Sequence, residues 1–243
     1  MCGRYELHSH PAAIALAFGL AQPPELAARY NIAPMSDVPV VRVNAHGERE
    51  LVMLRWGLVP RAAKDPSIGA KIINARGETV AERTSFRMPY RRHRCLLPAN
   101  GFYEWLTITQ GTELHKQPLH IGMSDGSLFG LAGLYERWLS AEGEVLDTCT
   151  VITTSANTLL RAFGERMPVI IAPENYARWL DPQGIEVDDL LAPFASECMK
   201  ACPVSTRVNV TRNEGADLIE PIEIALDLEE PPAPHVPEQE SLF

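Results

Sequence analysis

The chain has 243 residues, 46% of them hydrophobic, with 20 Pro and 16 Gly, which is enough apolar material for one large core or two small ones. No apolar run approaches the roughly 20 residues needed to cross a bilayer, and the opening MCGRYELHSH lacks the basic start and apolar stretch of a secretory signal, so a cytoplasmic protein is expected. The net charge of -9 is unevenly placed: nine of the 31 acids fall between Asn213 and Phe243, where there is no Lys or Arg, leaving 22 of each sign in residues 1–212.

Along the chain, HPAAIALAFG (10–19) and PELAARY (24–30) carry helical patterning. Strands are predicted at 38–43, 50–54, 94–97, 101–106, 118–123, 127–133, 148–154 and 169–171, punctuated by Gly, Pro, Asn and Asp. SANTLLRAF (155–163), PENYARWL (173–180) and VDDLLAPF (187–194) are further helical candidates. Helices and strands do not alternate regularly, so the pattern favours a mixed α+β fold of mostly antiparallel curved sheets with peripheral helices. Residues 1–222 are expected to form one domain. The remainder, 223–243, is acidic, proline-rich and expected to be a disordered tail.

Between residues 55 and 94 ten basic groups face three acids, a surface suited to a polyanion or simply a solvated face. Trp56 and Trp105 sit among apolar neighbours and read as core. The five cysteines (2, 95, 149, 198, 202) are an odd number without an export signal, so free thiols are expected. Cys198 and Cys202 lack the spacing and the partner pair of a zinc site, and neither metal nor cofactor is expected. Cys2 is different. Removal of Met1 would leave it with an α-amine and a thiol on adjacent carbons. An α-amine titrates near 7.7 to 8.0, far below a lysine, so it is a nucleophile at neutral pH. With an aldehyde it forms an imine that the sulfur can close into a thiazolidine.

MCGRY, YNIAP (30–34), RWGLVP (55–60), INARGET (73–79), SFR (85–87), RCLLPANGFYEW (94–105), ITTSAN (152–157), RMPVII (166–171) and GADLIEP (215–221) occur in one order. Together they resemble the SRAP family, the SOS-response-associated peptidase-like proteins that crosslink to abasic sites in DNA. The resemblance implies Cys2 as nucleophile, Glu104 as acid/base and Asn74 as the amide that orients the sugar or the Cys2 backbone. It also implies DNA contacts from Arg4, Asn31, Pro34, Arg76, Arg87 and Arg166, with abasic single-stranded or junction DNA as the partner. Removal of Met1, by an aminopeptidase or by autoproteolysis, is implied as well. Two positions depart from the family. Its His two residues before the Arg-Met-Pro motif is Gly164 here, and His93, His120 or Glu165 could stand in for it. After Pro60, where relatives present aromatic residues, this chain has Arg61 and Ala62. Outside the family pattern, Gln239, Leu242 and Phe243 at the end of the tail resemble the short peptide by which bacterial repair proteins dock on the sliding clamp. A thiol peptidase using Cys2 and a weakened abasic-DNA-binding module remain as other readings.

Overall fold

The computed structural model describes residues 2–110, 113–184 and 186–223. Met1 and the segment 224–243, with Gln239, Leu242 and Phe243, lie outside the described residues. In chain order the first half runs β1 (Tyr5–Leu7), α1 (Pro11–Phe18), β2 (Arg29–Ile32), β3 (Asp37–Val43), β4 (Arg49–Trp56), β5 (Asn74–Arg76), α2 (Arg87–Arg92) and β6 (Arg94–Ala99). The second runs β7 (Gly101–Gln110), β8 (Glu113–Met123), β9 (Phe129–Leu139), β10 (Val145–Ser155), β11 (Arg166–Pro168), β12 (Ile170–Ile171), α3 (Tyr176–Leu180) and β13 (Met199–Pro203).

β3, β4, β9 and β10, of 7, 8, 11 and 11 residues, are long enough to pair on both sides around a ring, and β3, β9 and β10 each hold a continuously buried run. β10 pairs β4, β4 pairs β3, β3 pairs β6, β6 pairs β9, and β9 returns to β10, closing a five-strand ring without an edge. Only the β4–β10 contact in that ring is parallel (Thr148↔Arg55, Cys149↔Trp56). β6 is buried along its whole length, as a strand covered on both faces must be. Its first residue, Arg94, reaches the carbonyls of Tyr90, Trp179, Asp181 and Gly184, so one guanidinium satisfies the ends of both α2 and α3.

A second, open sheet has the order β13-β8-β7-β1-β2. Its inner face, with Tyr5, Phe102, Leu119 and Ile121, joins the main core, and its outer face, with Tyr103, is covered by Val204 and Val208 of the C-terminal segment. The fold is α+β with mostly antiparallel sheets and few helices. Among the described residues no helix is long and apolar enough to cross a membrane.

Three helical expectations fail. Over 24–30 the chain is irregular and then enters β2, because β1 needs an edge partner: Tyr5 opposes Ile32, Leu7 opposes Arg29, and Tyr30 stacks on His8 at 5.4 Å. Tertiary pairing overrides propensity there. Residues 155–163 yield only a 3-10 turn at Leu160–Ala162, where Asn157 spends its amide on the Leu160 N–H and the Phe194 carbonyl. Residues 187–194 yield a single turn, Asp188–Leu191, stopped before Pro193. Trp56 is fully buried, whereas Trp105 is only half-buried and ties its indole N–H to Asn209 at 2.7 Å.

Candidate active site at the junction of sheet and barrel

Cys2 stands three residues before β1, an inner strand of the open sheet, and its side chain is fully buried in the main core. The ladder from β1 to β7 extends toward it: Tyr5 opposes Phe102, and the Tyr103 N–H donates to the Arg4 carbonyl at 2.9 Å. The next residue along β7 is Glu104, buried to 8% exposure. Since Tyr103 belongs to the outer cluster, alternation turns Glu104 inward, toward the Cys2 side. From the barrel side comes Asn74, first residue of β5, held by pairing with Val151 of β10. Its Nδ2 donates to the Cys2 carbonyl at 2.8 Å, a link across 72 positions of sequence. The three residues that the resemblance marks as catalytic thus come from two strands of different sheets and from the segment leading into β1.

Burial is the main electrostatic fact of this site. It pushes the Cys2 thiol up to about 12, and the Glu104 charge adds to the effect. Burial also raises the Glu104 carboxyl above the ordinary carboxylate range. The Asn74 Oδ1 is buried and has no hydrogen-bond partner among the described residues. One face of that amide is spent on Cys2, and the other is an open acceptor.

The expected DNA-contacting residues divide into two sets. Arg4 is buried, donating to Asn31 Oδ1 at 2.6 Å and to the Val208 carbonyl at 2.7 Å, with its guanidinium 5.8 Å from the Trp105 ring centre. Asn31 in turn donates to the carbonyls of Val208, Val210 and Asn213. Arg166 is half-buried, paired with Glu78 and donating to the Thr153 carbonyl at 2.6 Å. Arg76 and Arg87 are exposed, and Pro34 is half-buried beside Met35, a non-glycine residue at φ 67.

Gly164 is open: a Cβ built there meets nothing within 4 Å. His120 sits opposite Tyr103 on the outer face of the sheet, away from Cys2 and Glu104. His93 stacks on Tyr135 at 4.9 Å and lines a cavity of about 280 Å³ with Arg42, Glu50 and Arg137. Sequence reasoning missed the C-terminal strap, residues 204–214, because it acts through backbone carbonyls that carry no residue-type signal. The described residues contain no group of three or more His, Cys, Asp or Glu able to hold a metal.

Two packed sheets, one closed into a barrel and carrying Asn74, the other carrying Cys2 and Glu104, define the class. Residues 1–211 match the family model for SOS response associated peptidase (SRAP), and the chain belongs to that family. It is 41% identical over 226 residues to the abasic site processing protein YoqW of Bacillus subtilis, covering 90% of this chain and 99% of that one. It is 32% identical over 234 residues to the chicken abasic site processing protein HMCES, covering 82% of this chain and 68% of that one. A crystal structure of a Bacteroides thetaiotaomicron protein superposes with a TM-score of 0.79 at 26% identity, covering 91% of this chain and all of that one.

Proposed function

We propose that this chain, once Met1 is removed, captures the open-chain aldehyde of an abasic site in single-stranded or junction DNA through Cys2. The observation that carries the reading is the hydrogen bond from Asn74 to the Cys2 carbonyl, which fixes residue 2 beside Glu104. The high thiol pKa orders the steps. The α-amine attacks the aldehyde carbon first and water leaves to give an imine. The sulfur then adds to the imine carbon, its proton passing to nitrogen, and a thiazolidine closes. Glu104, its carboxyl raised by burial, delivers a proton to the departing oxygen, regains one from nitrogen as the imine forms, and relays the thiol proton to nitrogen on closure. The Asn74 Oδ1 accepts from a sugar hydroxyl, supplying its missing partner. Arg76 and Arg87 neutralise flanking phosphates, while Arg4, Asn31 and Arg166 act from beneath by holding the surface in shape.

The names of the relatives support lesion processing; the covalent step is tested directly. Incubation with an abasic oligonucleotide should give a species that survives denaturing electrophoresis, and Cys2→Ala should abolish it. A band of undiminished intensity from that variant would refute the mechanism.

Gly164 favours a second reading, a slow module that binds more readily than it bonds. A side chain there has open space, so Gly164→His should fold normally and raise the crosslinking rate about tenfold or more, within the range of a single general acid/base. An unchanged rate would show that no proton transfer is limiting at this position. We further propose that residues 1–222 form the working domain in the cytoplasm and that 223–243 tether it to the sliding clamp through Gln239, Leu242 and Phe243. A tail peptide that fails to bind the clamp at millimolar concentration would remove the tether.

A further inference from the structure

A second ionisable cluster occupies the sheet face turned away from Cys2. Residues directly opposite on neighbouring strands share a face. The pairs Glu6↔Gly101, Tyr103↔His120 and His120↔Cys202 lie in two neighbouring rows of one face across β1, β7, β8 and β13. Glu6 is fully buried, and both of its oxygens are engaged: His8 Nδ1 lies 2.6 Å from Oε2 and His120 Nε2 lies 3.1 Å from Oε1. Cys202 lies directly opposite His120 on the neighbouring strand, and its thiol donates to the His120 carbonyl oxygen at 3.8 Å. Tyr103 meets the ring edge-on at 5.5 Å. Gly101 is what permits the arrangement, because a Cβ there would fall 2.1 Å from His120 Nε2. Thiol, imidazole and carboxylate therefore stand side by side on this face, the carboxylate orienting the imidazole beside the thiol.

We propose that Cys202 is a second reactive thiol of this protein, served by His120 and Glu6, and that its substrates are small hydroperoxides. The thiol gives its proton to solvent, and the thiolate, facing the protonated His120, attacks the outer peroxide oxygen. The O–O bond breaks, the sulfur is oxidised by two electrons to the sulfenic acid, and the peroxide is reduced. The departing oxygen takes the proton from His120 and leaves as water or an alcohol. Burial pulls the imidazole down, but hydrogen bonds to Cys202 and Glu6 outweigh it and hold His120 at about 9, so a proton is at hand at neutral pH. Cys202 is half-buried on the edge strand β13, which admits a molecule of peroxide size.

Cys198, four residues away and exposed, is an internal reference, since accessibility alone would make it the faster thiol. Trypsin cuts after Lys200 and places the two on separate peptides. The full-length protein is treated with limiting iodoacetamide, or with hydrogen peroxide followed by a cyclic 1,3-dione that traps sulfenic acid, and each peptide is quantified by mass. Cys202 is expected to react about tenfold faster than Cys198 or more in both arms, and His120→Gln is expected to bring it down to the Cys198 rate. A Cys202 rate equal to or below that of Cys198 in the wild-type protein overturns the proposal, whatever the variant does. So does a fast Cys202 whose rate is untouched by His120→Gln in a variant that melts at the wild-type temperature.

Discussion

Glu104 shows how one buried side chain links chemistry to stability. Its carboxyl titrates above the ordinary value because burial disfavours the charged form. Between the unfolded value, about 4.3, and the higher folded one, the native chain binds more protons than the unfolded chain. Stability associated with this group is therefore fully present at low pH and is lost as pH rises through the folded value. Glu104→Gln should accordingly melt above wild type at pH 8, by about 1.4 kcal/mol for each unit of elevation, with the gap closing toward pH 4. The same variant should crosslink about 10² to 10⁴-fold more slowly. Thermal melts across pH 4 to 8 check the first effect; a variant that melts below wild type at pH 8 would show that the charge is not a burden to the fold.

Among the elements, the strap of residues 204–214 matters most, because it is latched to β1 and β2 by two side chains. Asn31 offers its Oδ1 to Arg4 and its Nδ2 to three strap carbonyls. Truncation leaves a buried guanidinium short of an acceptor and the carbonyls short of a donor. Asn31→Ala should therefore cost about 2 to 4 kcal/mol in unfolding free energy, read by denaturant titration. A loss below 0.5 kcal/mol would show the latch to be dispensable. The sequence made the long strands β3, β4, β9 and β10 legible, because an apolar run bounded by turn residues is a local property. It gave no view of β1, β2, β5, β11 and β13, which are short and exist through pairing partners far along the chain. The parallel β4–β10 contact that closes the barrel was hidden for the same reason. Cys2, Asn74 and Glu104 were legible only through motifs; that Asn74 grips the Cys2 backbone is a tertiary fact. Glu6, His8, His120 and Cys202 offered no pattern, since their proximity is set by strand register.

For the molecule as a whole, charge placement matters more than total charge. A net -9 would repel DNA, yet the first 212 residues are balanced and Arg61, Arg76, Arg83, Arg87, Arg91 and Arg92 are exposed. Binding to single-stranded DNA should weaken with salt, the slope reporting about 0.7 per phosphate neutralised. Arg76→Ala and Arg87→Ala should each reduce that slope by about 0.7 and weaken binding uniformly across sequences. Arg94→Ala, whose guanidinium serves backbone carbonyls, should lower the melting temperature and leave the slope alone. Unchanged slopes for Arg76 and Arg87 would move the DNA to another face.

The central claim is that nitrogen and sulfur of a freed residue 2 both end on the sugar carbon. The intact mass of the adduct with an abasic oligonucleotide, taken without any reducing agent, tests it most directly. The account predicts the chain lacking Met1 plus the oligonucleotide minus one water. An adduct that retains Met1, or no stable adduct from a protein whose Met1 is gone, would contradict it.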